Sequence, residues 1–450
     1  MLRKFKISFE SEPLKIALAI FAVGLVNSLP SLLNNFPLLY FDSGLYLRIA
    51  TNHFYFGNAL RSFAYALMLT PLLVFKSLLL AIVLQNIALA GFLFYVVQKV
   101  APEIKFRAYF VAELGLLFST YLLYCNFIMS DIVMSFAPIF ISMFILSLNT
   151  RDRIRAAVLV IATTATHFSS LLISTALAFG ASFTKKFGRA RVYLLTLALA
   201  PWIAVASVNY LTSQRFLISD SIDLFIFSQL TSLGVTEEYL KRVCHDDPNL
   251  LCLNDNLKFD IWDTSSDGKI ALAGGLQKLM PDIAAANNEM LSPAYLRPAL
   301  TKLSDRVLRQ FAMFYEPLEI ISPGQSLVDN MIVKFLPQEF ANFKEQRYDT
   351  LTTEQKSRLS QAIGRMHLIV ALLSFLILFG LLVTQRLHRT IGVTYVASTI
   401  YYILNSIICG LLTDPTSRYN ARLVWIFTLL LALQIALNMN RTTPVTVKTT

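Results

Sequence analysis

Apolar runs about as long as a bilayer is thick recur along this chain, and short basic loops separate them. A helix needs about 20 consecutive apolar residues to cross the hydrocarbon core. Inside lipid a spanning segment must satisfy its own backbone, so runs of this length read as helices. They fall near residues 14–33, 78–98, 108–124, 132–148, 154–168, 169–183, 192–211, 366–384, 391–411 and 421–439. The chain therefore reads as an all-α polytopic membrane protein. Its balance of residues agrees, with 55% hydrophobic and only 15% charged among 450. Soluble domains carry roughly 25% charge.

Charge in the connecting loops sets the orientation. Lys99, Lys105 and Arg107 share one loop, and Arg151, Arg153 and Arg155 another. Lys185, Lys186, Arg189 and Arg191 lie in a third, and Arg386 and Arg389 in a fourth. The turns near 125–130 and 167–170 hold no Lys or Arg. Basic loops stay in the cytoplasm, and ten crossings with both termini inside satisfy all of these loops. The basic start, Met1-Leu2-Arg3-Lys4-Phe5-Lys6, precedes the first run without a good cleavage site and reads as a retained signal anchor. This pattern also accounts for the net charge of +11 without nucleic acid as a partner.

Counting the apolar stretch 60–76 as a crossing would invert every later loop. It is expected to be a surface or re-entrant helix of a first outer loop, 34–77. The chain then divides into an N-terminal bundle at 1–211, a mainly α outer region at 212–364, and C-terminal crossings at 365–450. That outer region is the size of an ordinary domain. It contains Cys244 and Cys252, with seven residues between them, and an oxidising compartment lets them pair. The four cysteines show no metal-ligand spacing, and no metal or other cofactor is expected.

Residues able to do chemistry gather at the outer ends of the runs. Asp42 stands just past the first run in Phe41-Asp42-Ser43-Gly44-Leu45-Tyr46, at the start of a segment with roughly helical apolar spacing. Asp131 begins another run, His167 lies in an outer turn, and the last outer loop reads Asp414-Pro415-Thr416-Ser417-Arg418-Tyr419-Asn420-Ala421-Arg422. Ionisable groups near lipid are costly, and clusters of them often mark a site. Each also has a plainer reading. Asp42 or Ser43 would cap one helix and Asp131 another, His167 would bond within the bundle, and Arg418 and Arg422 would snorkel to headgroups. Glu113 is the one carboxylate well inside a run, and a structural pairing with a nearby base is its expected role.

This arrangement resembles the GT-C glycosyltransferases, membrane enzymes that take a sugar from a polyprenyl-phosphate or polyprenyl-diphosphate carrier. The likeness rests on Phe41-Asp42-Ser43-Gly44-Leu45-Tyr46, Arg61-Ser62-Phe63-Ala64-Tyr65-Ala66-Leu67, Ser130-Asp131, His167 and Arg418-Tyr419. The first loop holds a single acidic residue, not a pair, and the outer region lacks the WWD-type signature of oligosaccharyltransferases. The resemblance implies sugar transfer to a hydroxyl of a glycan or lipid, on the outer face of a plasma (inner) membrane. Asp42 would be the general base, with Asp131 and His167 as further catalytic candidates. Arg48, Arg61, Arg418 and Tyr419 would hold the carrier phosphate, since guanidinium groups match phosphate oxygens. Two other classes share the silhouette. O-antigen polymerases or ligases rely on arginines and a histidine. A carrier-glycan transporter or flippase ranks third, because the internal repeats and broken midplane helices of transporters are not evident.

Overall fold

The computed structural model describes residues 11–40, 42–51, 62–183, 190–213, 216, 218–219, 222–246, 250–252, 276–313, 320–324 and 326–441. Among these, every regular element is helical, and the sole pairing of extended backbone is a parallel bridge between Leu38 and Phe127. Among the described residues, five helices are long and apolar enough to cross a membrane: Leu78–Val100, Arg191–Leu211, Thr353–Val383, Arg389–Leu412 and Arg418–Asn440. The protein is all-α and membrane-embedded.

Other apolar runs form shorter pieces, for local reasons. The run near 108–124 breaks between Lys105–Leu116 and Thr120–Tyr124. There Ser119 is extended and its hydroxyl accepts from the Tyr121 N–H at 3.2 Å, so a cap displaces the helical ladder. The run near 132–148 divides into Asp131–Ser135 and Ala137–Leu146. Pro138 stands in the first turn of the second piece and has no N–H to continue the ladder. Thr150–Thr164 and Phe168–Ser182 are 15-residue helices joined at His167. Each is about 22 Å long, shorter than a ~30 Å hydrocarbon core.

The stretch 60–76 yields Phe63–Leu73, an 11-residue helix too short to cross. Its cap, Ser62, also donates its hydroxyl to the Ala165 carbonyl, which ties this helix to the turn at His167. Arg61 lies outside the described residues, as do Phe41, Lys185, Lys186, Arg189 and the basic N-terminal residues.

Charged loops from distant parts of the chain meet at one end of the bundle. Lys99 pairs with Asp152 at 2.7 Å, Lys105 with Glu12, and the Arg153 guanidinium lies 5.4 Å over the Tyr193 ring. The hydrogen bond from Lys99 holds the Asp152 carboxyl below the usual carboxylate range.

The described parts of 212–364 serve two cores. Leu224, Phe227, Leu240, Leu279 and Ile283 form a separate apolar cluster. Beside that cluster Cys244 and Cys252 are joined by a disulfide, with their Cα atoms 5.4 Å apart. Val328, Ile332 and Phe343 instead join the core of the bundle. Thr353–Val383 then runs unbroken from this region into the bundle, started by a capping box between Thr352 and Gln355.

Candidate active site

A short extended segment delivers the first acidic residue. Asn35 ends the helix Leu29–Asn34 in the left-handed region at φ 60°, which Asn tolerates. The next residues are clamped from two sides. Leu38 N–H donates to the Asn126 carbonyl at 3.1 Å, Ile128 N–H to the Leu38 carbonyl at 3.3 Å, and Ile321 N–H to the Leu39 carbonyl at 2.9 Å. Tyr40 and Asp42 follow directly, before the helix Ser43–Thr51. That helix is mostly buried, with Tyr46, Leu47, Ile49 and Ala50 inside. Arg48 is exposed on its open side and takes no part in the ion-pair network among the described residues.

The last helix delivers the bases. Arg418 and Arg422 stand four residues apart in its first turns, so they share one face. The turn before it is fixed by Gln310, which accepts from Thr416 N–H at 3.0 Å and donates to the Thr416 carbonyl at 2.9 Å. Thr120 donates to the Ala421 carbonyl at 2.6 Å and Tyr124 to the Arg418 carbonyl at 3.1 Å.

The two deliveries meet in a buried chain of charges with Asp131 at its middle. Arg418 Nη2 donates to Asp42 Oδ2 at 3.0 Å, and Arg418 Nε lies 3.8 Å from Asp131 Oδ2. Arg422 Nη1 donates to Asp131 Oδ1, and Arg422 Nη2 donates to Ser169 Oγ at 3.1 Å and Asn405 Oδ1 at 3.0 Å. Exposure is 7% for Asp42, 2% for Asp131, 6% for Arg418 and 0% for Arg422, so the whole network is desolvated. Tyr40 and Tyr419 rings lie 4.4 and 5.3 Å from the Arg418 guanidinium carbon, in cation–π range.

His167 completes it, with Nε2 3.2 Å from Arg422 Nη1 and Nδ1 2.8 Å from Ser169 Oγ. Nδ1 also accepts from the Ser169 N–H at 3.2 Å, so the imidazole caps the helix Phe168–Ser182.

Of the sequence candidates, the structure brings together Asp42, Asp131, His167, Arg418 and Tyr419. Arg418 and Arg422 do not snorkel. They turn inward to the carboxylates, since a buried Asp131 between them needs their charge. Asp131 likewise acts as an ion-pair partner, and Ser130 at the cap position makes no side-chain capping bond. Sequence reasoning missed Tyr40, Ser169 and Asn405. Asn405, a carboxamide in the middle of an apolar helix, was the one readable signal, because such groups require a partner. No cluster of three or more His, Cys, Asp or Glu suited to a metal exists among the described residues.

Known proteins offer no relative to read this site from: no family model, no curated protein and no solved structure matches the chain.

Proposed function

We propose that this chain is a GT-C-type membrane glycosyltransferase, moving a sugar from a polyprenyl-(di)phosphate carrier to a hydroxyl of a glycan or lipid. The supporting observation is the buried network of Asp42, Arg418, Asp131 and Arg422. Helix stability does not explain it. Two cations in the first turns of a helix oppose its dipole, and buried ion pairs seldom stabilise more than apolar replacements would. Such locally unfavourable choices concentrate at functional sites.

In the reaction, the acceptor oxygen attacks the anomeric carbon while its proton passes to an Asp42 carboxylate oxygen. The bond from that carbon to the carrier phosphate breaks. Arg418 exchanges part of its carboxylate contact for the phosphate oxygens as their charge grows. Tyr40 and Tyr419 hold the guanidinium plane during that exchange. Asp131 and Arg422 keep Arg418 in place, and no metal or cofactor is needed for these steps.

The full topology belongs to the same proposal. Ten crossings would put both termini and the cluster of Lys99, Asp152, Lys105 and Glu12 in the cytoplasm. The Asp42 network would then face outward at a plasma (inner) membrane. The grouping of basic loops at one end and the Asp42 network at the other supports this. Cysteines introduced at Arg389 and Thr353 test it. An impermeant thiol reagent on intact cells labels the second and not the first, and labelling at 389 overturns the topology.

One observation favours a second reading. The Arg422–His167 contact suits an O-antigen polymerase or ligase, whose chemistry relies on arginine and histidine. Mass spectrometry of lipid-linked sugars and surface glycans, with and without the gene, tests both. Loss of single sugars with build-up of a carrier-linked monosaccharide supports sugar transfer. Build-up of carrier-linked repeat units supports the polymerase or ligase, and unchanged profiles overturn both.

A further inference from the structure

Apart from the arginine network, a second group of buried polar side chains lies between the first helix and its neighbours. Gly24 lets the helices Glu12–Asn27 and Leu78–Val100 touch, since a Cβ there would stand 2.7 Å from the Ile87 Cα. This contact brings the end of the first helix against Asn86, whose Nδ2 donates to Ser28 Oγ at 3.1 Å. Asn126 reaches the same place and donates to the Asn27 carbonyl at 2.7 Å. Glu113 enters from Lys105–Leu116, and Tyr121 from the helix that follows.

These groups are buried and unmatched. Glu113 is 5% exposed, and Asn27, Asn86 and Tyr121 are at 0%. Both Glu113 oxygens, both Asn27 amide atoms, Asn86 Oδ1 and the Tyr121 hydroxyl lack a hydrogen-bond partner. The Asn27 carboxamide acts on Glu113 at close range, yet no well-formed hydrogen bond closes between them, and Tyr121 lies within electrostatic range. No Lys or Arg among the described residues pairs with Glu113. The expected structural pairing with a base is absent among those residues: Lys105 is taken by Glu12, and Arg107 in the same helix is exposed.

A desolvated carboxylate without a counter-charge is strongly unfavourable. Against four acceptor oxygens from Glu113, Asn27 and Asn86, the unmatched donors are the Asn27 Nδ2 and the Tyr121 hydroxyl, and a proton on Glu113 would add one more. A cation meets several oxygens at once and balances the charge. One carboxylate with amide and hydroxyl oxygens is a hard donor set with too little negative charge for a typical divalent site. We infer that Glu113, Asn27, Asn86 and Tyr121 form a binding site for a monovalent metal cation of the sodium type. The site locks the first helix to the bundle beneath the segment that carries Asp42.

The full chain, purified in detergent, tests this by thermal unfolding in sodium chloride and in N-methylglucamine chloride at equal ionic strength. A ligand that binds only the folded state raises the midpoint with its concentration. The wild type should unfold several degrees higher in sodium, with a saturating dependence and one equivalent of radiolabelled sodium bound. Glu113→Gln should unfold at one temperature in both salts. If that variant does not fold, Tyr121→Phe should weaken sodium binding several-fold in a folded protein. Equal wild-type midpoints in both salts, with no saturable sodium binding, would overturn the inference and leave the pocket to water and a proton.

Discussion

The two ends of this bundle handle charge in opposite ways. At one end Lys99–Asp152 and Lys105–Glu12 remain partly in solvent, and their side chains keep 33%, 24%, 20% and 57% of their exposure. At the other, Asp131 and Arg422 are enclosed, with side-chain exposures of 2% and 0%. The pairs are chemically alike, but water screens the first set and is excluded from the second. An exposed pair can be lost cheaply, whereas a buried one constrains every residue around it.

Removing one member of the buried set should therefore have the largest effect. Arg422→Met leaves Asp131 desolvated with only the longer Arg418 contact, a change costing about 3–5 kcal/mol. Unfolding in detergent should show a large drop in midpoint, partly recovered in the double variant Arg422→Met, Asp131→Asn. A single variant as stable as wild type would remove the contrast between the ends. Next comes the disulfide outside the bundle. Cys244→Ser should cost about 2–3 kcal/mol, seen as faster proteolysis within 224–303 with the bundle intact. Bundle unfolding in that variant would show that the two cores are not separable.

Arg418→Lys sharpens the comparison from the functional side. Lysine preserves charge but not the planar fork, so it should retain the fold and weaken donor binding about tenfold, near 1.4 kcal/mol. Arg418→Ala should lose binding and turnover together. The smallest effect belongs to the exposed end, where Lys99→Ala should shift stability by less than about 1 kcal/mol. A drop matching that of Arg422→Met would mean that solvent screening does not distinguish the two ends.

Much of the fold was legible because lipid imposes it. Long apolar runs had to be helices, and the positions of Leu78–Val100 and Arg389–Leu412 follow from run length alone. The breaks were less legible, since Ser119 and Pro138 act through local backbone geometry within apolar runs. Asp42, Asp131, His167 and Arg418 were readable as ionisable groups at run ends. Their partnership was not, because Asp42 and Arg418 meet across 376 residues. No spacing rule reports that meeting. Arg422 illustrates the limit: at a helix start it reads as a headgroup contact, and only packing reveals that it faces Asp131.

The central claim is that Asp42 is the base of a sugar transfer, and Asp42→Asn tests it most directly. The carboxamide oxygen still accepts from Arg418, so the network and the fold should persist while basicity is lost. The variant is returned to cells lacking the gene, and lipid-linked sugars and surface glycans are measured by mass spectrometry. If Asp42 is the base, folded protein should reach wild-type amounts in the membrane while the glycan profile stays identical to that of the gene-less cells. Restoration of the wild-type profile by Asp42→Asn would contradict the claim.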